Sequence, residues 1–337
     1  MRNNIQHSII RLFRNTKSYI GFKLDGNHSR WSNVVSKINL YIFHYKLRYQ
    51  KKCYGPHNPD KTFYVIRPTS EAEGLLSLFF TVIRNIEFAE RNNMIPVVDF
   101  QNFKTQYNKE EFVNGSANAW EYYFKPISNY SLEEVYKSKN VYMFGWGRPQ
   151  LKDGTFQNDY NEALNKKRHT FINKYTGVAK SVQDQVSSYK HLFEYNNVLG
   201  VFLRGTDYLR LKPAGHPIQP DTRDVINKAH EFIDKYDINK IFIVTEDRSL
   251  YNMFRDEFGN MLFSIDNNYI SNYQEGYVYS CMANMDPYQK GLTYLTKMLL
   301  LNECDYLVST LTNGSLFSLA MKEGDFKDKY IFNLGKY

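Results

Sequence analysis

Three apolar runs in the C-terminal half stop abruptly on small, hydroxylated or charged residues. Run 198–203 ends in Arg-Gly-Thr-Asp (204–207), run 241–244 in Thr-Glu-Asp (245–247), and run 306–308 in Ser-Thr-Leu-Thr-Asn-Gly-Ser (309–315). Three strands that end this way predict one cleft at the carboxyl edge of one sheet. Helical patterns alternate with these strands: strand 198–203, helix 221–236, strand 241–244, helix 248–258, strand 261–265, helix 290–302, strand 306–309, helix 314–322 and strand 330–333. That alternation predicts a doubly wound parallel α/β sheet.

The N-terminal half repeats the theme less fully. Residues 63–66 read as a short strand, 68–73 as a turn, and Gly74 opens a helix with Leu75, Leu78, Phe79, Val82, Ile86 and Ala89 at helical spacing. Asn92-Asn93 ends that helix, and 95–100 (IPVVDF) is the next strand. Such a unit predicts parallel strands and a right-handed crossover. Residues 114–123 read as a surface loop running into a short helix, and 141–144 as a further strand before Gly145-Trp146-Gly147. A polar, largely helical stretch, 150–195, opens with the loop 152–159 and marks the boundary between halves. The chain, 337 residues long, has room for two packed α/β domains. The expected division is a basic extension at 1–60, an N-terminal α/β domain at 61–195 and a C-terminal α/β domain at 196–337, the two domains facing a cleft.

Composition narrows the function. A net charge of +8 favours anionic partners: nucleic acid, anionic lipid or a phosphate-bearing small molecule. No Arg/Lys-rich helix or recognition motif supports nucleic acid. The 28 tyrosines and 24 phenylalanines can line a sugar or nucleotide site or fill the core. Cys53, Cys281 and Cys304 are scattered without metal-ligand spacing, and Cys304 beside an apolar run reads as a core residue. No stretch approaches the length of a membrane span, and the N-terminal apolar runs are too interrupted for a signal peptide. Within 1–55, Ile9, Ile10, Leu12 and Phe13 form one helix face with Arg11 and Arg14 beside it. That face suits either an anionic membrane surface or packing on the domain. The expected location is cytoplasmic, with a peripheral position at the inner membrane face as the first of these readings.

Several residues at these strand ends can carry chemistry. Arg204 suits a diphosphate through its planar fork, or it forms a structural pair with Asp207. Gly205 allows close backbone approach, and Thr206 and Asp207 fix the loop or meet a polar ligand. Thr245, Glu246 and Asp247 accept hydrogen bonds from a base or ribose, or they cap the following helix. Ser309, Thr310, Thr312, Asn313 and Ser315 offer an anion site at a helix start, or an ordinary cap and turn. His216, between prolines, contacts a ligand or is a loop histidine. GxxxxGK[ST], GxGxxG and GxSxG patterns are absent, as is any DxD tripeptide or His/carboxylate cluster, so neither a P-loop nor a required metal is expected.

Read in order, these segments resemble the fucosyltransferase superfamily of GT-B architecture. The resemblance is strongest to α-1,6-fucosyltransferases and nodulation fucosyltransferases, and weaker to protein O-fucosyltransferases and bacterial α-1,2-fucosyltransferases. It rests on residues 202–207, His216-Pro217-Ile218, 244–250, 263–267 and 305–313, and covers about 198–322. The resemblance implies GDP-fucose as donor and no metal. It puts Arg204 at the β-phosphate, Thr245, Glu246 and Asp247 at the guanosine end, and Thr310, Thr312 and Asn313 at the diphosphate. Glu73-Gly74 resembles the Glu-Gly turn of protein O-fucosyltransferases, which implies Glu73 as catalytic base; an exposed loop carboxylate is the other reading. Three positions depart from the pattern: Phe202 replaces a histidine, Gly205 a second arginine, and Lys297 an acid. Diphosphate binding then rests on fewer cations. The expectation is a metal-independent inverting glycosyltransferase acting from GDP-fucose on a bacterial surface glycan, lipopolysaccharide or capsular polysaccharide. The alternatives are another nucleotide sugar on the same fold, or a binding protein without turnover.

Overall fold

The computed structural model describes residues 49–144, 161–194, 197–212, 214–266 and 285–337. The helix face at 9–14, Gly145-Trp146-Gly147, the loop 152–159, Asn267 and Cys281 lie outside the described residues. Residues 51–337 form one compact unit.

The first sheet contains β1 (Tyr49–Lys52), β2 (Phe63–Ile66), β3 (Ile95–Val98) and β4 (Val141–Phe144) in the order β1-β4-β2-β3. Strand β2 runs parallel to both neighbours, with Phe63 opposite Ile95 and Val141. All four of its residues are buried, as expected of a central strand covered on both faces. Helix α1 (Leu75–Arg91) joins β2 to β3 and buries Leu75, Leu78, Phe79, Val82, Ile86 and Ala89 at the expected spacing. Asn93, at φ 53°, ends it in the left-handed region that asparagine tolerates. Helix α2 (Leu132–Val135) precedes β4 and starts in a capping box between Ser131 and Glu134.

After α3 (Glu162–Tyr175) and α4 (Lys180–Tyr189) comes the second sheet. Its strands are β5 (Val198–Phe202), β6 (Lys240–Val244), β7 (Leu262–Phe263), β8 (Tyr306–Thr310) and β9 (Asp328–Phe332). They are all parallel, in the order β7-β6-β5-β8-β9. Between them lie α5 (Thr206–Leu211), α6 (Thr222–Tyr236), α7 (Arg248–Phe258), α8 (Pro287–Leu300) and α9 (Asn313–Met321). Val225 and Phe232 of α6 and Leu250 and Phe254 of α7 cover one face with Leu199 and Val201. Leu295 of α8 and Phe317 of α9 cover the other with Phe202, Phe242 and Leu307. The second core continues into α1: the Phe79 and Phe317 rings meet edge to face at 4.9 Å. The doubly wound expectation therefore holds, and the two sheets share one apolar core within the compact unit.

The chain winds from β5 outward to β7, then returns to lay β8 on the other side of β5. Adjacent strands β5 and β8 thus send their connections in opposite directions, which opens a crevice at their carboxyl ends.

Segment 114–123 departs from its expectation. It is a series of turns, with Ala119, Trp120, Tyr122 and Tyr123 buried to 2 % exposure or less. Asn118 holds it to the end of β3, donating to Val98 O (2.8 Å) and accepting from Phe100 N (3.1 Å). Strand 261–265 shortens to two paired residues, α8 begins three residues early at Pro287, and α5 forms where a loop was expected. Cys304 is buried in the core as expected. Among the described residues, no helix is long and apolar enough to cross a membrane.

Candidate functional site

Register brings the three polar strand ends together. Phe202 lies opposite both Val244 and Ser309, so the residues that follow in each strand leave the same sheet edge side by side. Arg204 Nε lies 3.2 Å from Glu246 Oε1, with the side chains only 19 % and 12 % exposed. The same oxygen accepts the Gly205 N–H at 3.0 Å. Glu246 therefore orients Arg204 and holds the loop after β5; a pair this shielded from water is not weakened as a surface pair is. The guanidinium stacks over Tyr208, 4.9 Å from its ring centre. His216 is exposed and joins through the same tyrosine, with Nδ1 3.2 Å from the Tyr208 hydroxyl. The backbone of Thr206 and Asp207 opens α5 directly behind Arg204.

Gly205 has a steric reason. A Cβ there would meet Asp247 Cβ and Oδ2 at 2.6 Å and Leu250 Cδ1 at 2.8 Å. Gly205→Ala is expected to lower unfolding free energy by about 1–3 kcal/mol, read as a shift in denaturant midpoint. A wild-type midpoint in the variant would contradict the packing. The second arginine of the resembled pattern does not fit here for the same reason.

Other expected site residues turn out to serve local structure. Asp247 is the N-cap of α7, accepting from Ser249 N (2.8 Å) and Leu250 N (3.2 Å). Thr245, buried, accepts the Asp247 N–H at 3.2 Å. Thr312 caps α9 in a box with Ser315. Ser309 is buried and donates to Thr310 O, and Asn313, half-buried, opens α9. The Thr310 hydroxyl is buried and has no hydrogen-bond partner among the described residues. A buried hydroxyl left this way is unusual in a folded protein.

Three tyrosines lie near Arg204: Tyr208, Tyr294 and Tyr107. Tyr294 on α8 neighbours Arg204, Glu246 and Tyr208, and burial pushes its hydroxyl up to about 12, so it stays a hydrogen-bond donor. It packs against α9 tightly: a Cβ on Gly314 would stand 2.7 Å from the Phe202 ring and 3.0 Å from the Tyr294 hydroxyl. Tyr107 is buried and accepts the Leu75 N–H at 2.8 Å. Burial raises its hydroxyl too, and it feels the charges of both Arg204 and Glu73. One side chain thus stands between the two halves. Sequence reasoning missed all three because 28 tyrosines hide any single one. Tyr208 alone carried a signal, four residues after Arg204.

Glu73 is 9 % exposed, so the exposed-loop reading does not apply. Its Oε2 accepts from Thr69 Oγ1 (2.5 Å) and Thr69 N (3.3 Å), and its Oε1 from Ser77 Oγ (2.7 Å) and Thr81 Oγ1 (2.9 Å). Gly74 beside it is exposed and precedes α1. Thr69 is exposed and Ser77 half-buried, so their hydroxyls lie between solvent and the carboxylate. Lys297, at the position expected to be acidic, pairs with Asp266 at 2.9 Å, both largely buried. No three His, Cys, Asp or Glu side chains group closely enough to hold a metal among the described residues.

No family model and no curated protein matches the chain. Among solved structures it is similar to NodZ alpha-1,6-fucosyltransferase soaked with GDP-fucose, at a TM-score of 0.48 and 12% identity over 77% of this chain and 91% of that one. The fucosyltransferase NodZ from Bradyrhizobium gives 0.48 and 13% over the same shares. POFUT1 in complex with GDP gives 0.44 and 10% over 80% of this chain and 99% of that one. The chain is thus similar to solved fucosyltransferases over most of its own length and most of theirs.

Proposed function

We propose that this chain is an inverting glycosyltransferase that moves fucose from GDP-fucose to a sugar hydroxyl, without a metal. The observation that carries this reading is the shielded Arg204–Glu246 pair at the switch point of the second sheet. Its support in sequence is the order of motifs at 202–207, 244–250, 263–267 and 305–313.

In this reading Thr245, Glu246 and Asp247 border the guanosine end. Ser309, Thr310, Thr312, Asn313 and Ser315 border the diphosphate, and Gly74, Thr206, Asp207 and His216 are assigned to donor binding. The acceptor oxygen forms its bond to the anomeric carbon as the bond from that carbon to the β-phosphate oxygen breaks. Arg204 offsets the charge that gathers on the departing diphosphate. Glu73 takes the acceptor proton, passed through the Thr69 or Ser77 hydroxyl that stands in front of it. The acceptor in this proposal is a lipopolysaccharide or capsular glycan on a bacterial surface. The basic segment 1–60 would hold the enzyme at the inner membrane face.

A second reading, transfer from another nucleotide sugar, draws on Phe202 and Gly205, which supply no polar group to the donor. Thermal shifts separate the two. GDP is expected to raise the unfolding midpoint in the presence of EDTA, and UDP to leave it unchanged. A shift with UDP alone would overturn the donor, and no shift with any nucleoside diphosphate would overturn the transferase reading.

A further inference from the structure

We propose that Lys290 is a second cation for the donor diphosphate, reaching the crevice from α8 opposite Arg204. This rests on the reading of the crevice as a nucleoside-diphosphate site.

Helix α8 is docked by its first turn onto the first half of the molecule. Its N-cap, Asp286, pairs with Lys109. The Tyr123 hydroxyl donates to Tyr288 O (3.0 Å) and lies 3.3 Å from Pro287 O. Gly291 makes room for it: a Cβ there would stand 2.3 Å from the Tyr123 hydroxyl oxygen. The helix therefore has a fixed position, and its next turns carry Lys290 and Tyr294.

Residues four apart lie one above the other on a helix. Lys290 and Tyr294 thus share a face. Tyr294 neighbours Arg204. Lys290 Nζ lies 5.4 Å from the Tyr107 ring centre, and Tyr107 feels the Arg204 charge. Lys290 therefore lies against the tyrosine whose hydroxyl also feels Arg204.

Lys290 is half-buried, and its one hydrogen-bond partner among the described residues is neutral: Gln106 Oε1 at 2.8 Å. No carboxylate pairs with it among the described residues, whereas Lys109 has two, Glu111 and Asp286, and Lys297 has Asp266. Desolvation pulls its ammonium below the usual lysine range. An ammonium withdrawn from water without a counter-charge is unfavourable unless an anion completes it. Gln106 fixes where that charge points, since its Nε2 also donates to Ala72 O and Glu73 O at 3.1 Å. The cation missing at Gly205 is supplied in this account from a helix on the far side of the crevice.

Titration calorimetry with GDP and GMP tests this in the full chain. Lys290→Met keeps the apolar stem and removes the charge. It is expected to weaken GDP binding by about 10–100-fold, the loss for one charge-assisted hydrogen bond. GMP is expected to stay within about threefold, because the β-phosphate is the group lost. Lys290→Arg, which restores a cation, is expected to recover most of the GDP affinity. GDP affinity in Lys290→Met equal to the parent overturns the proposal. So does an equal loss for GDP and GMP, which marks a general disturbance of the crevice. Failure of the parent itself to bind GDP refutes the reading of the site rather than the role of Lys290 within it.

Discussion

Arg204→Ala is expected to slow sugar transfer by on the order of 10²–10³, about 2.7–4 kcal/mol of barrier, the loss measured when one preorganised donor to a developing anion is removed. Arg204 is fixed before any ligand arrives, by Glu246 on one side and the Tyr208 ring on the other, so little reorganisation accompanies the reaction. The same substitution leaves Glu246, 12 % exposed, facing the Gly205 N–H without its cation, and the unfolding midpoint should fall as well. Arg204→Lys separates the two effects. It keeps a positive charge beside Glu246 but not the planar fork, so stability should recover more than rate. Initial rates at saturating acceptor, with melting curves on the same samples, check both. Parental turnover in Arg204→Ala would mean that Arg204 does not meet the leaving group.

Glu73→Gln is expected to cost about 10²–10⁴ in the rate of transfer while leaving GDP affinity unchanged. Glutamine keeps the volume and one acceptor oxygen. The Thr69, Ser77 and Thr81 hydroxyls can rotate to accept from its amide, so the start of α1 is retained. Glu73→Ala instead leaves those hydroxyls without an acceptor and should reduce stability by about 1–3 kcal/mol. Single-turnover rates with bound donor isolate the chemical step. A Glu73→Gln enzyme that transfers at the parental rate would assign the proton to another group.

The second sheet was legible because its strands are short apolar runs with abrupt polar ends. Helix α7 was bounded to the residue, since Asp247 is an N-cap and Gly259 a stop. Strand β7 was overread because only Leu262 and Phe263 find partners on β6. Segment 114–123 was misread because its aromatics enter the core from turns, where no periodicity marks burial. The polar edge at 204, 246 and 309–315 was visible, but the division of labour within it was not. Thr312 and Ser315 use their hydroxyls in capping, and only packing leaves the Thr310 hydroxyl without a partner among the described residues. Tyr107, Gln106 and Lys290 had no local signal. Gln106 and Lys290 are 184 positions apart and meet only when α8 docks on the first half. An ammonium set against a neutral partner is a property of the folded chain.

Release of GDP from GDP-fucose by the purified protein in EDTA tests the central claim most directly. The account predicts GDP above the protein-free rate, abolished in Arg204→Ala, with no UDP released from UDP-glucose under the same conditions. No GDP release from GDP-fucose, with or without added glycan acceptors, or undiminished release by Arg204→Ala, would contradict it.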